Sequence, residues 1–110
     1  MSRPRIFIAG PYTRDPLRNT EQAIDAAARL KALGIESYVP HLSHFIEERH
    51  KFPYEEWMAT SFTWIRCCHA LLRLPGTSPG ADREVAEAQR LGIPVWTDES
   101  AMCRAMGERS

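Results

Sequence analysis

The feature that most limits the fold of this chain is a regular alternation of short apolar segments with longer segments of helical periodicity. Arg5-Ile-Phe-Ile-Ala9 is a continuous apolar run that ends at Gly10-Pro11, as expected for a strand buried on both faces of a parallel sheet. Three further strands are predicted at Ser37–Pro40, Ala70–Leu74 and Pro94–Trp96.

Helices are predicted in the segments between these strands. Asn19 is expected as the N-cap of the first helix, and Gly34 as the residue that follows its end. The second helix is expected over Tyr54–Cys67 and the third over Pro79–Gly92. His41–Pro53 is predicted to be a long polar loop without regular structure, and long loops in compact domains are usually functional. The short tail after the fourth strand is expected to be either helical or irregular.

Strands that alternate with helices pair in parallel through right-handed crossovers. The pattern therefore predicts a small doubly wound (Rossmann-like or flavodoxin-like) α/β fold, with a parallel sheet of about four strands flanked by helices. The length of 110 residues and the hydrophobic fraction of 44% fit one domain over residues 1–110.

Charge and apolar patterning exclude several classes of protein. Fourteen basic and fourteen acidic residues give a formal net charge of zero, so the chain has no overall attraction for a nucleic acid polymer or an anionic membrane. No apolar run approaches the length of a membrane span, and the start, MSRPRIFIAG, is unlike a signal peptide. A cytoplasmic protein is expected. The three cysteines lack C-x-x-C spacing, which disfavours a disulfide framework or a thiolate metal site.

The loops that follow the first three predicted strands hold the most unusual residues. They are Gly10–Thr13, Pro40–His44 and Pro75–Gly80. Ligands of doubly wound sheets bind beyond the carboxyl ends of the strands, so these loops are expected to meet at one ligand site. Ser78 followed by Pro79 is typical of an N-cap with proline at N1, and the free N–H groups of such a helix start favour an anion. The alternative is an ordinary capped helix.

Glu84 is out of place in the third predicted helix. At roughly 100° per residue it falls on the same arc as the apolar positions, whereas Glu87 falls on the solvent side. A buried carboxylate must be hydrogen-bonded, paired or facing a cavity. Two interpretations stay open: an ion pair with an arginine such as Arg73, or a cavity carboxylate that the helix N-terminus keeps ionised as a nucleophile or base. The apolar positions of this arc are Ala81, Val85, Ala88, Leu91 and Gly92.

Three other groups of residues bear on metal binding, ligand binding and oligomeric state. At helical spacing His41, His44 and Glu48 would resemble a metal site. The H-x-x-H motif stands beside a proline and has no third ligand of assured geometry, so no metal site is predicted. Tyr12 is expected either to stack on a ring in the pocket or to close its loop. The second helix carries an apolar stripe that one sheet face cannot cover, which predicts a homodimer or larger homo-oligomer. This stripe consists of Trp57, Met58, Phe62, Trp64 and Ile65.

Several short motifs follow one another along nearly the whole chain. They are IFIAGPYT with Asn19, Tyr38-Val-Pro40, Trp57, Cys68-His-Ala-Leu-Leu-Arg-Leu-Pro75, Gly80-x-x-x-Glu84-x-x-x-Ala88 and Gly92-Ile-Pro-Val95. In this order they resemble the nucleoside 2-deoxyribosyltransferase superfamily, most closely its small bacterial and phage-type members. In that family the residue matching Glu84 is the nucleophile that attacks C1′ of a (deoxy)ribosyl group, expels the base and forms a glycosyl-enzyme intermediate.

Two positions depart from the family pattern. Ser78 stands where the transferases have an aspartate, six residues before the nucleophile. A serine there is similar to the branch of nucleoside 5′-monophosphate N-glycosidases, so the resemblance implies phosphate binding. His69 stands where the family often has an aspartate, so the resemblance assigns no proton donor to the leaving base.

Together these observations predict an enzyme, a hydrolase or a transferase, that acts on the N-glycosidic bond of a nucleoside or nucleotide without a cofactor. Glu84 is the expected catalytic residue. The alternatives are a non-catalytic nucleotide-sensing module of the same fold, and an interaction protein whose exposed tryptophans bind a partner. The substrate-binding residues are expected to be Gly10, Pro11, Tyr12, Thr13, Asn19, His41, Ser78, Gly80 and Ala81.

Overall fold

The computed structural model describes residues 3–107 of the chain. Within that range, four strands alternate with five helices, and a short 3-10 turn over Pro40–Leu42 precedes the second helix. The α/β fold class is confirmed. In chain order the elements are β1 (Arg5–Ala9), α1 (Pro16–Ala32), β2 (Glu36–Tyr38), α2 (Ser43–Arg49), α3 (Tyr54–Ile65), β3 (Ala70–Arg73), α4 (Pro79–Arg90), β4 (Val95–Trp96) and α5 (Glu99–Gly107).

The four strands form one parallel sheet in the order β2-β1-β3-β4. Ile6 of β1 lies opposite Ser37 of β2 on one side and Ala70 of β3 on the other. The chain adds β2 on one side of β1 and then crosses to place β3 on the other, so the strand order reverses between β1 and β3. This is the topological switch point, beside which doubly wound sheets bind their ligands.

Both faces of the sheet are covered by helices, which explains why β1 is apolar from Ile6 to Ala9. Ile6 and Ile8 point to the face packed by α1 and α5, and Phe7 and Ala9 point to the face packed by α3 and α4. Side chains alternate between the two faces of a strand, so a strand buried on both sides needs an apolar residue at every position. None of the described helices is long and apolar enough to cross a membrane.

The first helix begins earlier than predicted. Its N-cap is Asp15, whose side chain accepts a hydrogen bond from the Arg18 N–H at 3.3 Å, and Pro16 is the first helical residue. The prediction of Asn19 as N-cap was wrong because Asp15-Pro16 already forms an aspartate cap followed by proline at N1. Asn19 lies inside α1 instead.

The segment predicted as an irregular loop from His41 to Pro53 contains the 3-10 turn and α2. The prediction was wrong because α2 has no buried residue, so its sequence carries no alternation between core and solvent. Its apolar side chains, Phe45 and Ile46, are exposed, and so is Leu42 at its N-cap. The other boundaries differ from the predicted ones by only one or two residues, and the tail forms α5.

Candidate functional site

A cavity of about 600 Å³ opens at the carboxyl ends of β1 and β2 and beside the start of α4. Its floor is formed by residues that directly follow the strands, such as Gly10 and Pro40, and its walls come from α2, α3 and α4. The loops after the first three strands therefore meet at one site. This agreement with the sequence follows from parallel topology, which places all carboxyl ends on the same edge.

Most of the predicted site residues line this cavity. Pro11 and Asn19 do not, although both position it. The Pro11 carbonyl accepts a hydrogen bond from His41 Nε2 at 3.1 Å, and Asn19 Nδ2 donates to the Tyr12 carbonyl at 3.2 Å. The lining residues among those predicted are Gly10, Tyr12, Thr13, His41, Ser78, Gly80, Ala81 and Glu84.

The sequence interpretation missed the wall formed by β2, α2 and α3. Ser61 carried a signal, because it is a buried serine on the stripe that holds Met58 and Ile65. A hydroxyl on a core stripe indicates a polar partner or a cavity. The lining residues missed there are Tyr38, Glu47, Phe52, Tyr54, Trp57, Met58, Thr60 and Ser61, whereas Pro40, Ser43 and Pro79 lie in the loops that were predicted to form the site.

Glu84 is buried, with 6% of its surface exposed, and faces the cavity without a counter-ion. Within residues 3–107 no lysine, arginine or histidine forms an ion pair with it, and the Arg73 guanidinium instead bonds Asp82 and the carbonyls of Leu74 and Gly76. The ion-pair interpretation is therefore wrong, because the Arg73 side chain is committed to the loop after β3.

Burial raises the pKa of Glu84 to about 7, although the Ser61 hydroxyl and the positive charge of Arg73 both act to lower it. Loss of solvent outweighs the charges nearby, so this carboxylate is only partly ionised at about pH 7. A carboxyl group with a pKa near neutrality exchanges its proton readily at physiological pH, which suits acid, base or nucleophilic chemistry.

The start of α4 is capped as the sequence predicts. The Ser78 side chain accepts a hydrogen bond from the Ala81 N–H at 3.1 Å, and Pro79 occupies the first turn. The N–H of Gly80 belongs to the first turn, whose donors have no partner within the helix. A side chain at Gly80 would meet the Tyr54 hydroxyl at 3.1 Å, so glycine keeps this corner of the cavity open.

Glu87 lies on the solvent side of α4, where the exposed Arg90 covers its carboxylate and donates two hydrogen bonds to it. These bonds lower the pKa of Glu87. Leu91, placed on the inward arc, is exposed because α4 ends at Arg90 and the chain turns away.

His41 links the loops after β1 and β2. Its Nε2 lies 3.1 Å from the Pro11 carbonyl oxygen and so donates to it, which leaves Nδ1 without a proton. Nδ1 is buried and has no hydrogen-bond partner among the described residues. Burial lowers the pKa of His41, so this imidazole is neutral near physiological pH.

Tyr12 lines the cavity and also closes its loop through a hydrogen bond. Its hydroxyl lies 2.7 Å from His44 Nδ1, and His44 Nε2 lies 2.8 Å from Glu48 Oε1. Burial raises the pKa of Tyr12, and the charges of Glu47 and Glu48 raise it further. The side chain is therefore a neutral phenol at physiological pH.

Glu47 holds the segment between α2 and α3 against the cavity. Its carboxylate accepts hydrogen bonds from Trp57 Nε1 at 2.6 Å and from the Phe52 N–H at 3.2 Å. The rings of Phe52 and Trp57 meet edge to face at 5.6 Å. The result is an aromatic wall that two hydrogen bonds to one carboxylate hold in place.

His69 lies at the opposite end of the sheet from the cavity. Its Nδ1 accepts a hydrogen bond from the N–H of Arg5, the first residue of β1, at 3.0 Å. The cavity begins beyond Ala9, at the other end of the same strand. The departure from the family pattern at position 69 therefore removes no acid from this cavity.

The apolar stripe of α3 is mostly covered within the chain. Met58 and Ile65 are buried, and Trp57 is half-buried beside the cavity. Only Trp64 is largely exposed, at 46%, and it stacks on Tyr38 with ring centroids 4.9 Å apart. The inference that the whole stripe exceeds one subunit was wrong, because the wall of the cavity takes up one side of α3.

The charge of the cavity is negative. Glu47 and Glu84 are among its lining residues, and no lysine or arginine is found in the described lining. Across residues 3–107, no group of three or more His, Cys, Asp or Glu side chains is arranged to hold a metal ion.

Solved structures with this fold include two 2-deoxyribosyltransferases. A conserved protein from Enterococcus faecalis V583 superposes with a TM-score of 0.68 at 20% identity, over 86% of this chain and 62% of that chain. The 2-deoxyribosyltransferase from Leishmania mexicana gives a TM-score of 0.64 at 19% identity, over 84% of this chain and 61% of that chain. This chain thus spans less than two thirds of the length of either protein.

A third similar structure is the 2-deoxyribosyltransferase from Bacillus psychrosaccharolyticus, with a TM-score of 0.62 at 20% identity, over 83% of this chain and 69% of that chain. No curated protein matches the sequence significantly. The sequence profile of a domain of unknown function, DUF4406, matches residues 4–97. The chain therefore belongs to the DUF4406 family, and its fold is similar to that of the two 2-deoxyribosyltransferases.

Proposed function

We propose that this protein cleaves or transfers the N-glycosidic bond of a nucleoside or a nucleoside 5′-monophosphate, with Glu84 as the nucleophile. The observation that carries the proposal is a buried carboxylate without a counter-ion that faces a cavity beside the topological switch point. Burial of an unpaired carboxylate lowers stability, so a protein retains one where chemistry needs it. The 2-deoxyribosyltransferases of similar fold support the class of reaction.

In the proposed first step, an ionised Glu84 oxygen attacks C1′ of the sugar. The bond from C1′ to the base nitrogen breaks, its electron pair leaves with the base, and an ester forms between Glu84 and the sugar. In the second step an acceptor attacks C1′ and the carboxylate leaves. Water as the acceptor makes the protein a hydrolase, and a second base makes it a transferase.

The cavity suits a nucleoside in size and lining. Its volume of about 600 Å³ falls within the range of small-molecule sites. The rings of Tyr38, Phe52 and Trp57 supply flat apolar surface for a base. Hydroxyl groups suited to the sugar come from Thr13, Ser43, Thr60, Ser61 and Ser78.

A 5′-phosphate would be held at the start of α4. The Gly80 N–H and the Ser78 hydroxyl lie there, and the dipole of the helix favours an anion. Arg14 is exposed and directly follows Thr13 of the lining. The carboxylates of Glu47 and Glu84, which also line the cavity, oppose this attraction.

The test is to incubate the protein with a panel of nucleosides and their 5′-monophosphates, with and without a second free base, and to separate released bases by chromatography. We expect base release by the parent protein and none by Glu84→Gln. Tight binding of a nucleotide without release by the parent would indicate a sensing module instead. New nucleosides formed in the presence of the second base would identify a transferase.

A further inference from the structure

We propose that Tyr12, His44 and Glu48 form a proton relay that gives a proton to the leaving base and recovers it from the acceptor. This inference rests on the proposed function of the cavity. It assigns a role to His44 and Glu48, which the reaction of Glu84 does not use. It also provides the proton donor that neither Ser78 nor His69 offers.

The three side chains form a continuous path from the cavity to solvent. The Tyr12 hydroxyl lies 2.7 Å from His44 Nδ1, and His44 Nε2 lies 2.8 Å from Glu48 Oε1. Tyr12 lines the cavity, the His44 side chain is 16% exposed, and the Glu48 side chain is 62% exposed. His44 and Glu48 stand four residues apart on α2, the spacing at which helical side chains meet.

The partners of His44 fix which of its nitrogens carries a proton. An ionised Glu48 can only accept, so Nε2 carries a hydrogen in both charge states of the ring. Nδ1 accepts from the Tyr12 hydroxyl when the ring is neutral and donates to the Tyr12 oxygen when the ring is an imidazolium. In the second state the Tyr12 hydrogen is free to point into the cavity.

Proton transfer along the relay is coupled to the making and breaking of bonds at C1′. As Glu84 attacks and the bond to the base nitrogen breaks, the Tyr12 proton passes to that nitrogen and the Nδ1 proton of His44 passes to Tyr12. The base leaves neutral and His44 becomes neutral. In the second step the acceptor loses a proton to Tyr12, whose own proton returns to Nδ1, while the acceptor bonds C1′ and the carboxylate of Glu84 is released. The imidazolium is restored and no other reactant is consumed.

Other titratable groups at the cavity are less suited to this role. His41 is neutral, and its Nε2 is occupied by the Pro11 carbonyl. Glu47 accepts from Trp57 and Phe52 and so has no proton to give. The Tyr12 phenol is neutral and conducts a proton through its hydroxyl.

The first test detects the hydrogen-bond chain without any enzyme assay. NMR of ¹⁵N-labelled histidine is expected to show a proton on His44 Nε2 in both charge states of the ring, with Nδ1 as a hydrogen-bond acceptor in the neutral ring and a donor in the imidazolium. In Tyr12→Phe the Nδ1 resonance should move toward that of a free imidazole nitrogen, and in Glu48→Gln the preference for a proton on Nε2 should weaken. His50→Gln, which removes an exposed histidine at the end of α2, is the control. Unchanged His44 resonances in both relay variants would overturn the proposal.

The second test separates proton donation from a structural role. A 2′-deoxynucleoside needs its leaving base protonated, whereas 4-nitrophenyl 2-deoxyriboside releases a stable phenolate without help. We expect Tyr12→Phe and His44→Gln to lose about 10²- to 10⁴-fold in kcat on the nucleoside, the usual worth of a general acid, and to keep most activity on the nitrophenyl substrate. Equal losses on both substrates would overturn the relay and leave only a structural role.

Failure of the proposed function has a different signature from failure of the relay. Glu84→Gln should lose activity on both substrates, because both require the nucleophile. A parent protein that releases neither base nor 4-nitrophenolate overturns the glycosidic reaction and the relay together. A parent protein that is active, with relay variants equally active on the nucleoside, overturns the relay alone.

Discussion

Glu84 and Glu87 lie three residues apart on α4, and the protein shifts the pKa values of their carboxyl groups in opposite directions. Burial raises the pKa of Glu84 to about 7. Hydrogen bonds from Arg90 lower that of Glu87. One helix thus carries a glutamate whose ionisation opposes folding beside a glutamate whose ionisation favours it.

The first prediction is that Glu84→Gln is more stable than the parent protein at alkaline pH. In the unfolded chain Glu84 ionises near its ordinary pKa of 4.5, whereas in the folded protein it keeps its proton up to about 7. Its ionisation therefore lowers the free energy of unfolding as pH rises between these values, by about 3 kcal/mol in total. Thermal unfolding should give Glu84→Gln the higher Tm at about pH 8 and an equal Tm at about pH 4.

Glu87→Gln is the matched control and should behave in the opposite way. Because the folded pKa of Glu87 is lowered, its ionised form stabilises the fold above the unfolded pKa, and this contribution disappears as pH falls through the folded value. The variant should have a lower Tm than the parent at neutral pH. A Glu84→Gln protein that is less stable than the parent at every pH would contradict the burial of an unpaired carboxylate.

The second prediction concerns the covalent intermediate. A nucleoside analogue with fluorine at C2′ slows the second step, so it should leave a glycosyl adduct on Glu84. Intact-protein mass spectrometry followed by peptide mapping checks the position. Glu84→Gln should form no adduct, and Glu87→Gln should form it normally. An adduct on any other residue would show that the nucleophile is misassigned.

The third prediction is that the rate of this adduct rises with pH around neutrality. Only the carboxylate is a nucleophile, and burial keeps half of the Glu84 side chains protonated at about pH 7. On an analogue whose leaving group needs no proton, single-turnover rates should increase through that pH and then level off as Glu84 becomes fully ionised. A rate that is already constant from about pH 5 upward would mean that the ligand lowers the pKa of Glu84 or that another group is the nucleophile.

The fourth prediction is that nucleoside 5′-monophosphates bind better than the matching nucleosides. The expected contribution comes from the helix start at Ser78 and Gly80, where each charge-assisted contact is worth roughly 1.5–3 kcal/mol. Calorimetry with Glu84→Gln measures both Kd values without turnover. A preference for nucleosides would mean that the two carboxylates of the cavity dominate and would remove the phosphate assignment.

The fifth prediction is that the protein forms a homodimer or larger homo-oligomer. The exposed apolar residues around α2 form a better candidate surface than α3, and Phe45 lies at its centre between Leu42 and Ile46 in the helical order. Light scattering at micromolar concentration should give at least twice the subunit mass of 12.5 kDa. Phe45→Lys should shift the protein toward monomer, whereas Trp64→Lys, near the C-terminal end of α3, should not. A monomeric parent would contradict the prediction.

The strands and the location of the site could be read from the sequence because parallel topology constrains both. In a chain whose strand and helix patterns alternate, an apolar run such as Ile6 to Ala9 of β1 has few structural alternatives to a buried strand. The carboxyl ends of parallel strands lie at one edge of the sheet, which locates the site. Glu84 was identifiable because one carboxylate interrupts an otherwise apolar face of α4.

The walls of the cavity could not be read in this way. Helix α2 buries no residue, so neither its existence nor the inward position of Glu47 leaves a periodic signal. The contact of Tyr12 with His44 joins residues that are 32 positions apart and depends on the pairing of β1 with β2. The sequence does not show whether Arg73 pairs with Glu84 or with Asp82. The course of the loop after β3 places the Arg73 guanidinium beside Asp82.

The stack of Phe7, Tyr38 and Trp64 connects the protein interior, the cavity and the solvent through three aromatic rings. Tyr38 is 5.6 Å from the Phe7 ring and 4.9 Å from the Trp64 ring, and it also lines the cavity. Trp64 is half in water, so its indole emission responds to small changes in its contact with Tyr38. In a background with Trp57 and Trp96 replaced by phenylalanine, the fluorescence of this one tryptophan should report occupancy of the cavity. The protein therefore carries an optical probe for screening its own ligands before any of them has been identified.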